Sequence, residues 1–375
     1  MHTGLTLAFQ NLDRRRTDHE VLLTELGYAQ RAEDAGFDSL WVPEHHFTNY
    51  ELTPNVPLML AWAAAQTTRL RLGTMVSVLP WQDPVRTAET FSVLDHLSGG
   101  RAVLGIGRGL GRVEFEGFGV EMGESRQRFV EYAEAILGAL ESGVMEYDGK
   151  LLKQSRVEIR PDPYKSYRGR TFASAVSPES IELMARLGVG IMVIAQKPWD
   201  KVEAELDAYR KRYAELNGEQ PPKPIICVYT AVADTEAGAQ EMREKYLKRY
   251  AMSTVEHYEF DNVGFAQIPG YEYYAGLSRN IAKHGIDRFA DFLADLQVWG
   301  TPEQVTETLL SYVDRLDAGG ILLAPTFGGM PPEVSDRNFE LLTDEVLPVL
   351  KAYDVGGDLG VLYSGDTTSA KAGTR

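Results

Sequence analysis

An α/β fold on eight parallel strands is predicted by three observations. Short β-type runs alternate with amphipathic helical stretches along most of the 375 residues, the rhythm of a parallel sheet joined by helical crossovers. Eight such runs can be counted, the number that closes a (β/α)8 barrel of the TIM type. No G-x-G-x-x-G dinucleotide fingerprint follows any of them, which disfavours an open doubly wound sheet. The length lies within the range of one barrel and does not force a second domain.

The first strand is LTLAFQN, from Leu5. A helix starts near Asp18 with Leu22, Leu26 and Ala29 on one stripe, and Gly36 closes it as a helix-ending glycine does. SLWVPEHH is strand two, and the second helix follows Pro54 through WAAAQ. Strand three is LRLGTMVSVLP; the third helix runs from Pro84 to about Leu97, where Ser-Gly-Gly ends it. RAVLGIGRG is strand four, followed by a long helix from about Ser125 to Leu140. The polar, alternating stretch MEYDGKLLKQSRVEIRP reads as a hairpin turning at Asp148 and Gly149. RTFASAVS and GIMVIAQ are strands five and six, PIICVYTAVAD is strand seven, a charged helix starts near Thr235, and GILLAPTFGG is strand eight.

The rhythm breaks once. Between Ser253 and Gly300 the stretch STVEHYEFDNVGFAQIPGYEYYAGLSRNIAKHG is rich in Tyr, Phe and Gly and only weakly periodic, and a helical stretch and WGTPEQV follow it, which reads as a segment inserted before the last strand. The expected organisation is one domain over residues 1–353, with the insertion at about 253–300, and a flexible tail over 354–375.

Composition narrows the function classes. With 44% hydrophobic and 25% charged residues the chain is an ordinary globular one, and a net charge of −16 opposes nucleic acid. Cys227 is the single cysteine, which excludes internal disulfides, CxxC metal clusters and thiol redox pairs. The apolar run near Met1 is too short for a secretory signal and its basic residues follow it. No window suits a membrane span, so a cytoplasmic protein is the default expectation.

In a barrel the chemistry sits at the C-terminal strand ends, and Glu44, His45 and His46 stand at the end of strand two. An imidazole takes or gives a proton near neutral pH, and a neighbouring carboxylate fixes its tautomer, so the trio suits general acid–base work. A metal is disfavoured: adjacent histidines on a strand point to opposite faces, and neither HExxH nor a second His/Asp/Glu cluster is visible. The competing structural reading has one imidazole capping a loop and the other packing in the mouth, and spacing does not separate the two. In GIGRGLGRVEFEGFG the alternating Gly105, Gly107, Gly109 and Gly111 either admit a flat or phosphorylated ligand, with Arg108 meeting phosphate, or relieve crowding in the barrel. SAVSPES offers Ser177 as N-cap, Pro178 as first helical residue and Ser180 in the first turn, an anion-binding helix start or an ordinary cap.

The strings EHHFTNY, LRLGTMVSVLP, DPVRTAE, LDHLSGGRAVLGIGRGL, FEGFGVEMGESRQRF and VWGTPEQV lie in this order over nearly the whole chain. Together they resemble the bacterial luciferase-like, flavin-dependent monooxygenase family far more specifically than any one does alone. The resemblance implies a TIM (β/α)8 barrel with an inserted segment before the last strand, reduced FMN as co-substrate, reaction with O2 at the flavin C4a position, oxygenation of a small organic substrate, and a homodimer. It matches His45 to the family's active-site histidine, with Glu44 and His46 beside it. Met75 and Val76 match a bulged strand whose cis peptide underlies the flavin ring. Gly107, Arg108, Arg126, Val176, Ser177 and Ser180 match flavin-binding positions, the arginines and serines at the phosphate. Gly107 also stands where the luciferase catalytic subunit has a reactive cysteine, which argues against light emission and long-chain aldehydes.

Without an NAD(P)H-binding motif, a separate NAD(P)H:flavin reductase is the expected source of reduced flavin. The aromatic residues 258–274 are expected to close as a lid. Helices two and three, with Leu58, Leu60, Trp62, Phe91 and Leu94, are the expected dimer contact. Two alternatives stay open: an F420-dependent oxidoreductase of the same superfamily and a non-catalytic flavin-binding protein. The phosphate set favours FMN over F420, and His45 with the insertion argues against a storage role.

Overall fold

The computed structural model describes residues 1–174 and 178–356. Its strands are β1 (His2–Thr6), β2 (Ser39–Val42), β3 (Arg71–Thr74), β4 (Ser77–Val78), β5 (Ala102–Gly107), β6 (Val144–Asp148), β7 (Lys153–Glu158), β8 (Thr171–Ser174), β9 (Gly190–Ile194), β10 (Ile225–Val232), β11 (Val298–Gly300) and β12 (Gly320–Ala324). Eight of these close a parallel barrel in the order β1, β2, β3, β5, β8, β9, β10, β12, and β12 returns to β1 in a register that sets His2 opposite Gly320. The fold is the TIM-type barrel that the alternating pattern predicts. β4 and β11 extend it in parallel on β5 and β10. The predicted hairpin is β6 and β7, joined by residues 149–152 instead of a tight two-residue turn.

The helices start where side chains can satisfy orphaned backbone donors. Thr17 caps Asp18–Ala32 in a capping box with Glu20, and Thr301 caps Pro302–Leu316 likewise with Gln304. Asn55 and Asp83 cap Val56–Gln66 and Pro84–Ser98, each with proline in the first turn. The buried stripe of the first helix is rotated from the predicted one. Val21, Tyr28, Ala29 and Ala32 face inward, with the Tyr28 ring tilted against that of Phe339 at 5.1 Å between centroids, while Leu22 and Leu26 lie at the margin.

A separate apolar layer fills the barrel itself: Trp41, Val103, Phe172, Met192, Ile225, Cys227 and Leu322. Trp41 is fully buried, and its indole Nε1 donates to Ser39 Oγ at 2.7 Å. Its ring takes the space beside Gly73, where an added Cβ would lie 2.2 Å from it. Met75, Val76 and Ile194 rest on this layer, which makes it the floor under the barrel mouth.

The predicted third strand is interrupted. The peptide Met75–Val76 is cis; pairing with β5 stops at Gly73 opposite Val103 and resumes through β4 at Ser77 opposite Ile106. In the gap Thr74 Oγ1 donates to Gly105 O at 2.7 Å and accepts from Gly105 N at 2.9 Å, so one hydroxyl replaces the missing ladder. An added Cβ at Gly105 would meet Thr74 O at 1.9 Å, and one at Gly107 would meet Val76 Cγ2 at 2.3 Å. Crowding by the broken strand accounts for both glycines.

Three expectations need correction. The stretch read as weakly periodic is itself largely helical: a helix from Glu236 continues through a wide turn at Arg243–Leu247 into Lys248–Tyr258, Glu272–His284 follows, and the expected helical stretch after it is Ile286–Asp295. The inward face of Glu272–His284 is Tyr274, Ala275, Ser278 and Ile281, a helical spacing that its mixed Tyr and Ser composition conceals. A short helix, Arg112–Phe118, lies within the glycine-rich motif and ends at Gly119 in the left-handed region. Finally, Leu60, Phe91 and Leu94 are buried against their own barrel and Trp62 packs on its core, so they are not surplus surface; Leu58, Val93 and Leu97 are the exposed apolar side chains of those two helices. The cofactor positions Val176 and Ser177, and residues 357–375 of the expected tail, lie outside the described residues. Among the described residues no helix is long and apolar enough to cross a membrane.

Candidate active site

The strand ends surround a cavity of about 540 Å³. Glu44, His45, Met75, Val76, Gly107, Arg108, Arg126 and Ser180 line it, and His46 does not. The two histidines diverge as strand neighbours do. His46 turns its ring edge-on to Phe118 at 4.7 Å and Trp81 at 5.9 Å, with Nε2 3.2 Å from Glu44 Oε1. Glu44, expected as part of the acid–base set, is a brace: it accepts from Val78 N, Trp81 Nε1 and Gln82 Nε2 at 3.0, 2.7 and 2.9 Å besides meeting His46. Those donors engage both oxygens, three contacts on Oε1 and one on Oε2, and tie the end of β2 to the interrupted strand.

His45 faces the cavity within a cluster that strand-end reasoning missed. Glu114 Oε1 lies 3.1 Å from His45 Nδ1 and accepts the His46 backbone N–H at 2.9 Å. On the other side of the ring, Nε2 stands 3.4 Å from Glu51 Oε2 and 3.3 Å from the Tyr258 hydroxyl. His257, from the insertion, stacks on Tyr50, places Nδ1 2.9 Å from Thr48 Oγ1, and brings Nε2 to 3.5 Å from Glu114. Three donor atoms, from His45, Glu114 and His257, lie within 4.8 Å of one another, a spacing open to a metal ion. The Glu114 oxygen already serves His46 and His45, so an ion would have to displace those contacts, and the cluster reads better as a hydrogen-bonded imidazole support.

Electrostatics polarise this cluster. Burial alone would lower the His45 pKa, but Glu114 and Glu51 outweigh it and raise it above the ordinary imidazole value. Burial would raise Glu114, yet His45 and His257 hold it down to about 2. Burial dominates at Glu51 and pushes it up to about 7 despite His45 and the Tyr229 hydroxyl. Two carboxyl groups on one imidazole thus differ widely in proton affinity, an arrangement that recurs where acid–base roles are divided. Cys227 also lines the cavity, but burial pushes its thiol up to about 12, so it is no nucleophile at neutral pH.

The arginines gather elsewhere in the cavity, against the insertion. Arg108 Nη1 donates to Gly270 O at 2.9 Å and its guanidinium lies 4.2 Å from the centre of the Tyr271 ring. An added Cβ at Gly270 would lie 3.1 Å from Arg108 Nη1 and 3.5 Å from Arg126 Nε, so both guanidinium groups converge over one glycine. Tyr271 reaches Ser125 Oγ and Gly109 O, and Arg112 forks onto Glu259 at 2.7 and 2.6 Å. The insertion is therefore anchored on both sides of the mouth, and Tyr258 and Tyr274 lie in the cavity wall.

A barrel whose mouth sets a carboxylate-held imidazole and a pair of arginines around one cavity is built for a small molecule. The family model for luciferase-like monooxygenases matches residues 1–318, and the chain belongs to that family. It is 28% identical over 339 residues to the alkanal monooxygenase alpha chain of Photobacterium leiognathi, spanning 88% of this chain and 94% of the relative. The alpha chain from Aliivibrio fischeri is 29% identical over 325 residues, 86% and 91% of the two chains. Among solved structures, the monooxygenase RslO1 from Streptomyces bottropensis superposes with a TM-score of 0.72 at 23% identity, covering 93% of this chain and 99% of that one. The oxygenating constituent of 3,6-diketocamphane monooxygenase from Pseudomonas putida, solved with FMN, gives 0.70 at 21% identity and 93% and 98% coverage. An F420-dependent secondary alcohol dehydrogenase gives 0.67 at 13% identity and 93% and 98% coverage. These structures share the barrel.

Proposed function

We propose that the protein is a monooxygenase that takes reduced FMN from a separate NAD(P)H:flavin reductase and uses O2 to oxygenate a small organic substrate. The carrying observation is the cavity's division of labour, with His45 in a carboxylate cluster and Arg108 and Arg126 converging at Gly270. The residues fit a flat, phosphorylated group. Arg108, Arg126 and Ser180 would take its phosphate end, and Met75, Val76 and the side-chain-free Gly107 would floor its ring; Val176 and Ser177, the other flavin-binding positions that the family resemblance implies, lie outside the described residues. Bound reduced FMN supplies the activation of oxygen.

The chain's own residues do the rest. Glu114 holds His45 with Nδ1–H toward itself, which leaves Nε2 to give or take the proton that accompanies oxygen transfer. The insertion, clamped by Arg108 and Arg112, keeps water from the cavity. The family assignment and the alkanal monooxygenase relatives support this reading. The F420-dependent neighbour keeps hydride transfer without oxygen as a second reading. We also take the protein to be a cytoplasmic homodimer associating through Leu58, Val93 and Leu97, which sedimentation at micromolar concentration tests.

The decisive experiment titrates FMN and F420 in parallel and follows oxygen uptake with chemically reduced FMN. Tight FMN binding with oxygen uptake into product is expected. F420 binding without oxygen uptake would establish the hydride-transfer reading, and FMN binding without turnover a storage role.

A further inference from the structure

Glu51 differs from the other two carboxylates around His45 in what its oxygens do. Both oxygens of Glu44 accept hydrogen bonds, and Glu114 Oε1 serves His45 and His46. Glu51 Oε1 accepts the Tyr229 hydroxyl at 3.1 Å, whereas Oε2, on a side chain 2% exposed in the cavity wall, makes no hydrogen bond and meets only His45 Nε2, in an ion-pair contact at 3.4 Å. A buried polar atom without a hydrogen-bond partner calls for an explanation, and a ligand group is one that fits a cavity wall. The walls beside it are aromatic: Tyr50 and Tyr258 meet the His45 ring edge-on at 4.9 and 5.8 Å, and Tyr229 lies 3.7 Å from Tyr250. Burial raises all four phenols above their ordinary pKa, so they add no charge. The arginines, which would welcome an anion, converge instead on Gly270.

We propose that Glu51 selects the substrate: the cavity takes a neutral aromatic molecule bearing a hydroxyl group, phenol or enol, which donates to Glu51 Oε2, and it turns away a carboxylate or sulfonate in the same place. Recognition has two parts. A hydroxyl donor satisfies an oxygen that is otherwise buried without a hydrogen bond, and an anion would have to lose its water beside Glu51 and Glu114. This assignment rests on the monooxygenase reading only in calling the bound molecule a substrate.

The test is equilibrium binding at about pH 8, where Glu51, pushed up to about 7, is ionised and 1-naphthol is still neutral, of 1-naphthol and 1-naphthoate, two probes of one ring system that differ in charge, to the protein with and without FMN. Naphthol is expected to bind at least about tenfold tighter than naphthoate, and Glu51→Gln to bring the two within about threefold by weakening the first and admitting the second. Tyr229→Phe, which removes a hydrogen bond that favours the ionised Glu51, is expected to leave the carboxyl more protonated and so to narrow the naphthol-to-naphthoate ratio, and serves if Glu51→Gln does not fold. Equal binding of the two probes by the wild type, no measurable naphthol binding, or an unchanged ratio in Glu51→Gln would overturn the assignment. Because the ratio is read both with and without flavin, a failure of the protein to bind FMN would defeat the proposed reaction and leave the probe preference to be judged separately.

Discussion

Glu114 Oε1 meets His45 Nδ1 at 3.1 Å while accepting the backbone N–H of His46 at 2.9 Å, so one oxygen fixes both the imidazole and the loop that carries it. In Glu114→Gln the loop contact survives through the amide oxygen, but the charge that raises the His45 pKa is gone. The His45 ring should then titrate at lower pH, read by NMR of the imidazole nitrogens, and the pH profile of turnover should move the same way. An unchanged ring titration would remove Glu114 from this role.

The same variant has a stability signature. Glu114 is depressed from 4.5 to about 2 in the folded protein. A depressed carboxylate contributes stability that is present above its unfolded pKa and is lost as pH falls through its folded one. The advantage of wild type over Glu114→Gln in urea should therefore be constant near neutrality and shrink between about pH 4.5 and pH 2. An advantage independent of pH would assign the effect to shape instead of charge.

Because His45 lines the cavity and His46 does not, their alanine variants should fail differently. His45→Ala should still consume oxygen with reduced FMN but release hydrogen peroxide, with coupled turnover down about 10²- to 10⁴-fold. His46→Ala, which leaves Glu44 one donor short, should lose about 1 to 3 kcal/mol of stability and little chemistry. Product and peroxide measured in single turnovers decide between them; full coupling in His45→Ala would make that histidine structural.

Arg108→Glu should weaken FMN binding by more than about tenfold, since a charge-assisted hydrogen bond to phosphate contributes roughly 1.5 to 3 kcal/mol and the reversed charge repels. Fluorescence titration of a folded variant checks it, and wild-type affinity would place the phosphate elsewhere.

Gly73→Ala inserts a methyl 2.2 Å from the Trp41 ring. Overpacking of this kind costs about 1 to 3 kcal/mol, which chemical denaturation should show. A neutral result would mean that the barrel floor yields easily.

The barrel was legible because each strand is short, apolar and bounded by turn residues, and His45 was legible because it ends one of them. Its partners were not. Glu114 sits on a short, charged helix with too few turns to show a period, inside a motif whose glycines draw attention to themselves. Glu51 is only a few residues past His45, but nothing in a loop sequence says which way a carboxylate turns. His257 and Thr48 are 209 residues apart and meet only because the insertion folds back over the mouth. Leu60, Phe91 and Leu94 show the opposite failure: on a helix that covers a barrel, apolar residues read alike whether they face inward or outward, and only the packed neighbours separate the two.

The contact between Arg108 and Gly270 makes two processes share one residue. The guanidinium that would meet a phosphate also holds the backbone of the insertion, so anion occupancy and the order of that segment become a single linked equilibrium. Inorganic phosphate alone, with no flavin present, should therefore slow proteolytic nicking around Gly270, and a nicked chain should bind phosphate correspondingly less well.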